Sequence, residues 1–123
     1  MAPGGLGSEL AEHVMEVLAP LGSIEAKRFF GGIGIRHDEV LFAMIMDETL
    51  YFRVDAESRP RYEAAGCQPF SYDTKTGSRA IEGFYTAPED LFDEPAQMRD
   101  WARGAVATAL RVKARKPTRK RKG

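Results

Sequence analysis

The chain has 123 residues, of which 43% are hydrophobic and 29% charged, and this composition is typical of one soluble globular domain. Its longest apolar run, Val40 to Met46, is far shorter than the roughly 20 residues that span a membrane. The N-terminal residues lack the segments of a secretory signal, and the single cysteine, Cys67, excludes an intramolecular disulfide and a cysteine zinc site. These features predict a cytoplasmic protein with no cofactor, no metal and no membrane contact.

The net charge of zero hides a division of the chain into two parts. All 18 acidic residues lie at or before Asp100, so residues 1–110, with ten basic residues, carry a charge of −8. Residues 111–123 carry +8. Such asymmetry predicts a basic terminal segment with its own role.

The first predicted element is a helix that begins after residues 1–7, which are rich in glycine and proline and predicted to be disordered. Ser8 is its predicted N-cap, and apolar residues at helical spacing continue to about Leu18. Pro20 and Gly22 then end the helix.

Three strands are predicted next, over Gly32–His37, Val40–Met46 and Thr49–Val54, with turns at Asp38-Glu39 and Asp47-Glu48. The continuous apolarity of the second strand predicts a central position in the sheet. The preceding segment, Ser23 to Arg28, is too short for its pattern to decide between a strand and a connection.

The remaining elements are a short helix, a hairpin and a long helix. Asp55 is predicted to cap the short helix, which runs to about Ala65, and Cys67 to Thr74 and Arg79 to Thr86 form the hairpin. An apolar stripe predicts the last helix from about Asp93 to Val112. The order helix–three strands–helix–two strands–helix predicts a two-layer α+β domain over residues 8–112 with a mainly antiparallel sheet, followed by a basic disordered tail over residues 113–123.

The sequence predicts no catalytic residues. The glycines at Gly31-Gly32 could form a phosphate loop only if a helix followed, whereas the next residues predict a strand, so a bulge or turn is favoured. Cys67, His13 and His37 have no spacing that indicates a nucleophile with its base or a metal site. A small enzyme or ligand-binding protein with a pocket near Gly31-Gly32, involving Cys67 or His37, is the alternative.

Aromatic residues on the sheet give a second open question. Tyr51, Tyr72 and Tyr85 could share the face that the helices leave uncovered, where they could stack on bases or form a subunit interface. The acidic charge of residues 1–110 favours the subunit interface.

The basic tail supplies the candidate site residues. It could be only a solubilising extension, it could fold back on the acidic body, or it could contact phosphates in a salt-sensitive manner without reading bases. The predicted nucleic-acid-binding residues are Lys113, Arg115, Lys116, Arg119, Lys120, Arg121 and Lys122.

The sequence also resembles a known family. It is similar to the N-terminal domain of the TfoX/Sxy family over the run Lys27 to Ile35 and the segments Leu41–Ile45 and Leu50–Asp55. Later positions also match, namely Arg59-Pro60, Ala65-Gly66, Pro69-Phe70, Tyr72, Tyr85, Pro88, Trp101 and Ala102. The resemblance covers roughly residues 8–112. It implies a secretion-chaperone-like α+β fold and a link to the regulation of bacterial competence, and it brings no catalytic residues. The family's regulators have a second, C-terminal domain, whereas this chain has a basic tail there.

Charge and resemblance together predict a non-enzymatic regulatory or interaction module. We expect a protein partner, which could be a second copy in a homodimer, and weak non-specific nucleic-acid contact through the tail. A purely structural homodimer is a further hypothesis.

Overall fold

A computed structural model describes residues 9–29 and 32–115 of the chain. These residues form α1 (Glu9–Leu18), β1 (Ile24–Phe29), β2 (Gly32–His37), β3 (Val40–Met46), β4 (Thr49–Arg53), α2 (Arg59–Ala64), β5 (Pro69–Thr74), β6 (Gly77–Thr86) and α3 (Pro95–Arg115). Two 3-10 helices, Ala19–Leu21 and Glu89–Asp93, follow α1 and precede α3. The predicted disorder of residues 1–7 and most of the predicted tail lie outside the described residues.

The strands form one six-stranded sheet in the order β1-β2-β3-β4-β6-β5, and every neighbouring pair is antiparallel. The predicted α+β class is therefore confirmed. The segment that the sequence left undecided is β1, an edge strand, so four strands rather than three precede α2.

Two tight turns explain why β2, β3 and β4 follow one another as a meander. The residues of both predicted turns have positive φ angles, 48° and 79° at Asp38-Glu39 and 54° and 59° at Asp47-Glu48. Two successive left-handed residues match the twist of antiparallel strands. The turns therefore reverse the chain without a longer loop.

The hydrophobic core lies between one face of the sheet and the helices α1 and α3. Ile35, Phe42 and Phe52 of the sheet are fully buried, as are Val14 of α1 and Met98 of α3. The small residues of the α3 stripe, Ala102, Ala105 and Ala109, are also buried and allow α3 to lie close to β3 and β4. The sheet and the two helices therefore form the two layers that the sequence predicted.

The last helix continues beyond its predicted end at Val112 to Arg115, the last described residue. Lys113 and Arg115, predicted as the first residues of the tail, are therefore helical positions. Of the described helices, none has a long enough apolar stretch to cross a bilayer.

Candidate functional site

The described part of the predicted nucleic-acid site lies at the C-terminal end of α3. Lys113 is exposed there and lines an open groove of about 350 Å³ between α3 and the β2–β3 turn. Arg115 is the last residue of the helix. The other predicted site residues, Lys116, Arg119, Lys120, Arg121 and Lys122, lie outside the described residues.

Arg53 supplies a second cation to the same groove. Its Nη1 donates a hydrogen bond of 3.2 Å to the Gly83 carbonyl, and its guanidinium carbon lies 5.2 Å from the centre of the Phe84 ring. Burial lowers the pKa of Arg53 and the nearby Asp55 partly opposes this, but an arginine stays charged in a protein. The sequence gave no sign of this groove, because Lys113 lies 60 residues further along the chain than Arg53.

The remaining lining of the groove is mainly apolar. Val40, Leu41, Phe84, Ala109 and Val112 form its floor, and Glu39 is its one acidic lining residue. A held arginine and an exposed lysine beside an apolar floor can bind an anionic group such as a phosphate or a carboxylate. The groove therefore extends the predicted basic surface from the helix end onto the sheet.

An ion pair between the buried Asp55 and the partly exposed Arg111 fixes the end of α3 against the sheet. Arg111 Nε donates to Asp55 Oδ2 at 3.0 Å, and Arg111 Nη2 donates to Asp55 Oδ1 at 3.1 Å. The Asp55 side chain is only 4% exposed, and hydrogen bonds from Arg111 hold the pKa of its carboxyl far below the usual range. Arg111, which the charge count assigns to the basic segment, is therefore engaged by the folded domain.

The sequence predicted Asp55 as the cap of the short helix, but the N-cap of α2 is Ser58, and Asp55 instead orders the turn before it. Its Oδ1 accepts hydrogen bonds from the backbone N–H groups of Glu57 at 3.1 Å and Ser58 at 3.0 Å. The Asp55 N–H in turn donates to Ser58 Oγ at 3.0 Å. This reciprocal pair orders the turn from which α2 begins at Arg59.

The glycine pair does not form a phosphate loop. Gly31 lies outside the described residues, and Gly32 begins a strand instead of a helix. A Cβ at Gly32 would collide with Met46 Sδ and would lie 2.6 Å from the Ile45 carbonyl oxygen. Gly32 therefore permits a close approach of β2 and β3.

Cys67 and His37 are not brought together. His37 pairs with Val40 at one end of β3, whereas Cys67 lines a cleft at the opposite end, beside Thr49, about 20 Å away along the strand. Burial raises the pKa of the half-buried Cys67 thiol, which disfavours the thiolate. His13 is exposed on α1, and the described residues contain no cluster of acidic, histidine or cysteine side chains suited to a metal.

The proposed aromatic face is only partly formed. The Tyr51 ring lies on the face away from the helices, 5.1 Å from the Phe70 ring and nearly perpendicular to it. Tyr85 is paired with Phe52 and buried in the core, and its hydroxyl donates to Glu63 Oε2 at 2.9 Å. The placement of Tyr85 beside Tyr51 is therefore wrong, and the side chain of Tyr72 is outside the described residues.

A second cavity, an acidic cleft of about 680 Å³, lies at the β3–β4 turn. Three exposed carboxylates, Glu48, Glu89 and Asp90, form its rim. Its apolar lining residues are Leu50, Ala65, Ala87, Pro88 and Phe92. The sequence shows these acids only as separate turn pairs, because the pairing of β4 with β6 brings them to one place.

Comparisons with known proteins agree with the resemblance seen in the sequence. The family model of the TfoX N-terminal domain matches residues 16–109. The DNA transformation protein TfoX1 of Aliivibrio fischeri is 29% identical over 91 residues, which are 74% of this chain and 43% of that protein. Protein Sxy of Escherichia coli is 28% identical over 106 residues, 86% of this chain and 50% of that protein. The chain thus spans about half the length of the curated relatives it matches.

Proposed function

Since this chain belongs to the TfoX N-terminal domain family, we propose that it is a cytoplasmic, non-enzymatic regulatory module that contacts nucleic acid through the end of α3 and the residues beyond it. The name of the Aliivibrio fischeri relative connects that protein with DNA transformation. For this chain we infer a regulatory role in DNA uptake or in gene expression. The non-enzymatic part of the proposal rests on the regulatory relatives and on the separation of Cys67 from His37.

The observation that carries the nucleic-acid contact is the position of Lys113. It shares a groove with Arg53 at the point where α3 leads into the most basic stretch of the chain. Lys113 and Arg53 extend the charge of that stretch onto the folded surface. Contacts of this kind are made to phosphates and carry no base specificity.

The salt dependence of DNA binding tests this proposal. Binding of a fluorescent mixed-sequence duplex, followed by anisotropy between 50 and 200 mM salt, should weaken steeply because each neutralised phosphate releases counterions. A chain that stops after Arg115 loses Lys116, Arg119, Lys120, Arg121 and Lys122, so the slope of log affinity against log salt should become shallower by about 4.

Single-residue variants locate the contact on the folded surface. Lys113→Gln should weaken binding several-fold and reduce the slope by about 1. Lys75→Gln removes one exposed charge from the β5–β6 turn and should leave binding unchanged. The proposal is wrong if the shortened chain binds as tightly as the intact one, or if Lys75→Gln weakens binding as much as Lys113→Gln.

A further inference from the structure

We propose that the acidic cleft binds the basic segment 116–123 of a second copy of this chain. The cleft lies between the β3–β4 turn and the 3-10 helix Glu89–Asp93, at the opposite end of α3 from that segment. The interaction would join one molecule to the next from end to end. It adds a partner to the proposed regulatory module and does not depend on nucleic acid.

The cleft is built by the junction of β4 with the residues after β6. The Ala87 N–H donates a hydrogen bond of 2.9 Å to the Leu50 carbonyl, and Tyr51 pairs with Thr86. This junction places the turn that carries Glu48 beside Glu89 and Asp90. The cleft is therefore a fixed feature of the sheet.

The charge of the rim favours a cationic occupant. No lysine or arginine is among the described residues that line the cleft, and Glu48, Glu89 and Asp90 form no ion pair with any described residue. Asp47, Asp93 and Glu94, next to the rim along the chain, are also exposed. Like charges held this close repel one another, and a bound cationic segment would relieve that repulsion.

The most basic stretch of this chain complements the rim. Arg119 to Lys122 are four consecutive basic residues, preceded by Lys116 and Pro117. Their alkyl stems can lie on the apolar floor of the cleft while their charged ends reach the carboxylates. The cleft thus offers both kinds of contact that a lysine- and arginine-rich segment makes.

The distance along α3 favours a segment from another molecule. The 21 residues of α3 span about 32 Å, with the cleft beyond the N-terminal end and Arg115 at the other. Lys122 is seven residues after Arg115, and seven fully extended residues reach at most about 25 Å. Arg119, Lys120 and Arg121 reach still less far, so the cleft of another molecule is the more accessible one for this stretch.

This contact joins two different surfaces, so it differs from a symmetric homodimer. Contacts of this head-to-tail type produce rings or chains of molecules. Because both surfaces are exposed and charged, the association should weaken with salt. Nucleic acid should compete for the same basic residues.

A peptide-binding experiment on the full-length chain tests the proposal. A fluorescent peptide of residues 113–123 is titrated with the protein at low salt, and binding is followed by anisotropy. The cleft variant Glu48→Gln/Glu89→Gln/Asp90→Asn should bind at least tenfold more weakly than the wild type. The control variant Glu9→Gln/Glu16→Gln/Glu25→Gln removes the same charge from exposed positions on α1 and β1, and it should bind within twofold of the wild type.

Two further measurements locate and extend the result. Cys67 lines the cleft, so saturating peptide should slow its alkylation by iodoacetamide several-fold. In sedimentation velocity at low salt, the full-length wild type and the control variant should associate with increasing concentration, and the cleft variant should remain monomeric.

The proposal is overturned if the peptide does not bind, if it binds the cleft and control variants alike, or if Cys67 is not protected. The cleft variant should bind duplex DNA at least as well as the wild type, since its basic residues are intact. Loss of DNA binding by the wild type would contradict the proposed function, whereas equal peptide binding by both variants would contradict only the cleft.

Discussion

At the scale of single residues, Asp55 has the largest structural role of the described charged side chains. It accepts hydrogen bonds from Arg111 on both oxygens and also from two backbone N–H groups of the turn before α2. One carboxylate therefore holds α2 and α3 to the end of β4. Because it is nearly inaccessible to water, its interactions are weakly screened.

Replacing Asp55 by asparagine should destabilise the fold by about 2 kcal/mol, because the charged hydrogen bonds from Arg111 are lost while the oxygen that accepts from the turn remains. Urea unfolding at pH 7 measures this. Glu57→Gln is the matched control, since Glu57 Oε1 also lies 3.4 Å from Arg111 Nε but its side chain is 70% exposed. It should cost about 0.5 kcal/mol or less. Equal losses in the two variants would contradict the role given to Asp55.

The Asp55 carboxylate should also affect how the free energy of unfolding changes at low pH. Its pKa is lowered in the folded state, so the stabilisation it provides is present above the unfolded value of about 3.9 and is lost as the pH falls below it. The difference in unfolding free energy between the wild type and Asp55→Asn should be constant from pH 7 to about 5 and should shrink below pH 4. A difference that stays unchanged at pH 3 would show that the ion pair is not its source.

At the scale of elements, two glycines differ in how much space surrounds them: Gly32 is crowded and Gly104 is not. Gly32 lies where β2 meets β3, and a Cβ there would lie 2.6 Å from the Ile45 carbonyl oxygen, which the backbone holds in place. Gly104 lies within α3, and its Cβ would meet only Arg61 Nη1 at 3.7 Å, an ordinary contact. Arg61 is already stacked on Trp101, with its guanidinium carbon 3.8 Å from the ring centre.

Alanine substitutions at these glycines should therefore change stability in opposite directions. Gly32→Ala should destabilise the protein by about 2 kcal/mol, because β2 or β3 must shift. Gly104→Ala should stabilise it by up to about 1 kcal/mol, because alanine favours the helix. Thermal or urea unfolding of the two variants measures the contrast. A neutral Gly32→Ala would show that the strands are not in tight contact at this point.

The elements also show which parts of the fold the sequence alone could predict. The apolar stripes of α1 and α3 and the continuous apolarity of β3 are local patterns, and each predicted its element. The edge strand β1 was undecided because its six residues gain their identity from pairing with β2. The Asp55–Arg111 pair joins residues 56 positions apart, and the acidic cleft depends on the pairing of β4 with β6. No local pattern contains such contacts, so only the tail side of the candidate site was predictable.

At the scale of the whole molecule, the division of charge changes once the end of α3 is known. The sequence divides the chain at residue 110, but Arg111 belongs to the folded domain and Lys113 lines a groove on it. Up to Arg115 the chain has thirteen basic and eighteen acidic residues, a charge of −5, and residues 116–123 carry +5. The folded domain is thus less acidic than the first division suggests, and six of its eighteen acidic residues lie in or next to the cleft at the other end of α3.

Two shortened chains should show where the contribution to folding ends. Stopping after Arg115 keeps every described contact, so the unfolding free energy should change by less than about 0.5 kcal/mol. Stopping after Leu110 removes Arg111 and leaves the buried Asp55 carboxylate without its cation, which should cost about 3 kcal/mol or more. Urea unfolding at pH 7 and 0.2 M salt, where long-range charge repulsion is screened, compares the two. If the first truncation destabilised the protein as much as the second, residues 116–123 would be part of the fold. The proposals that these residues bind DNA or a second copy would then be wrong.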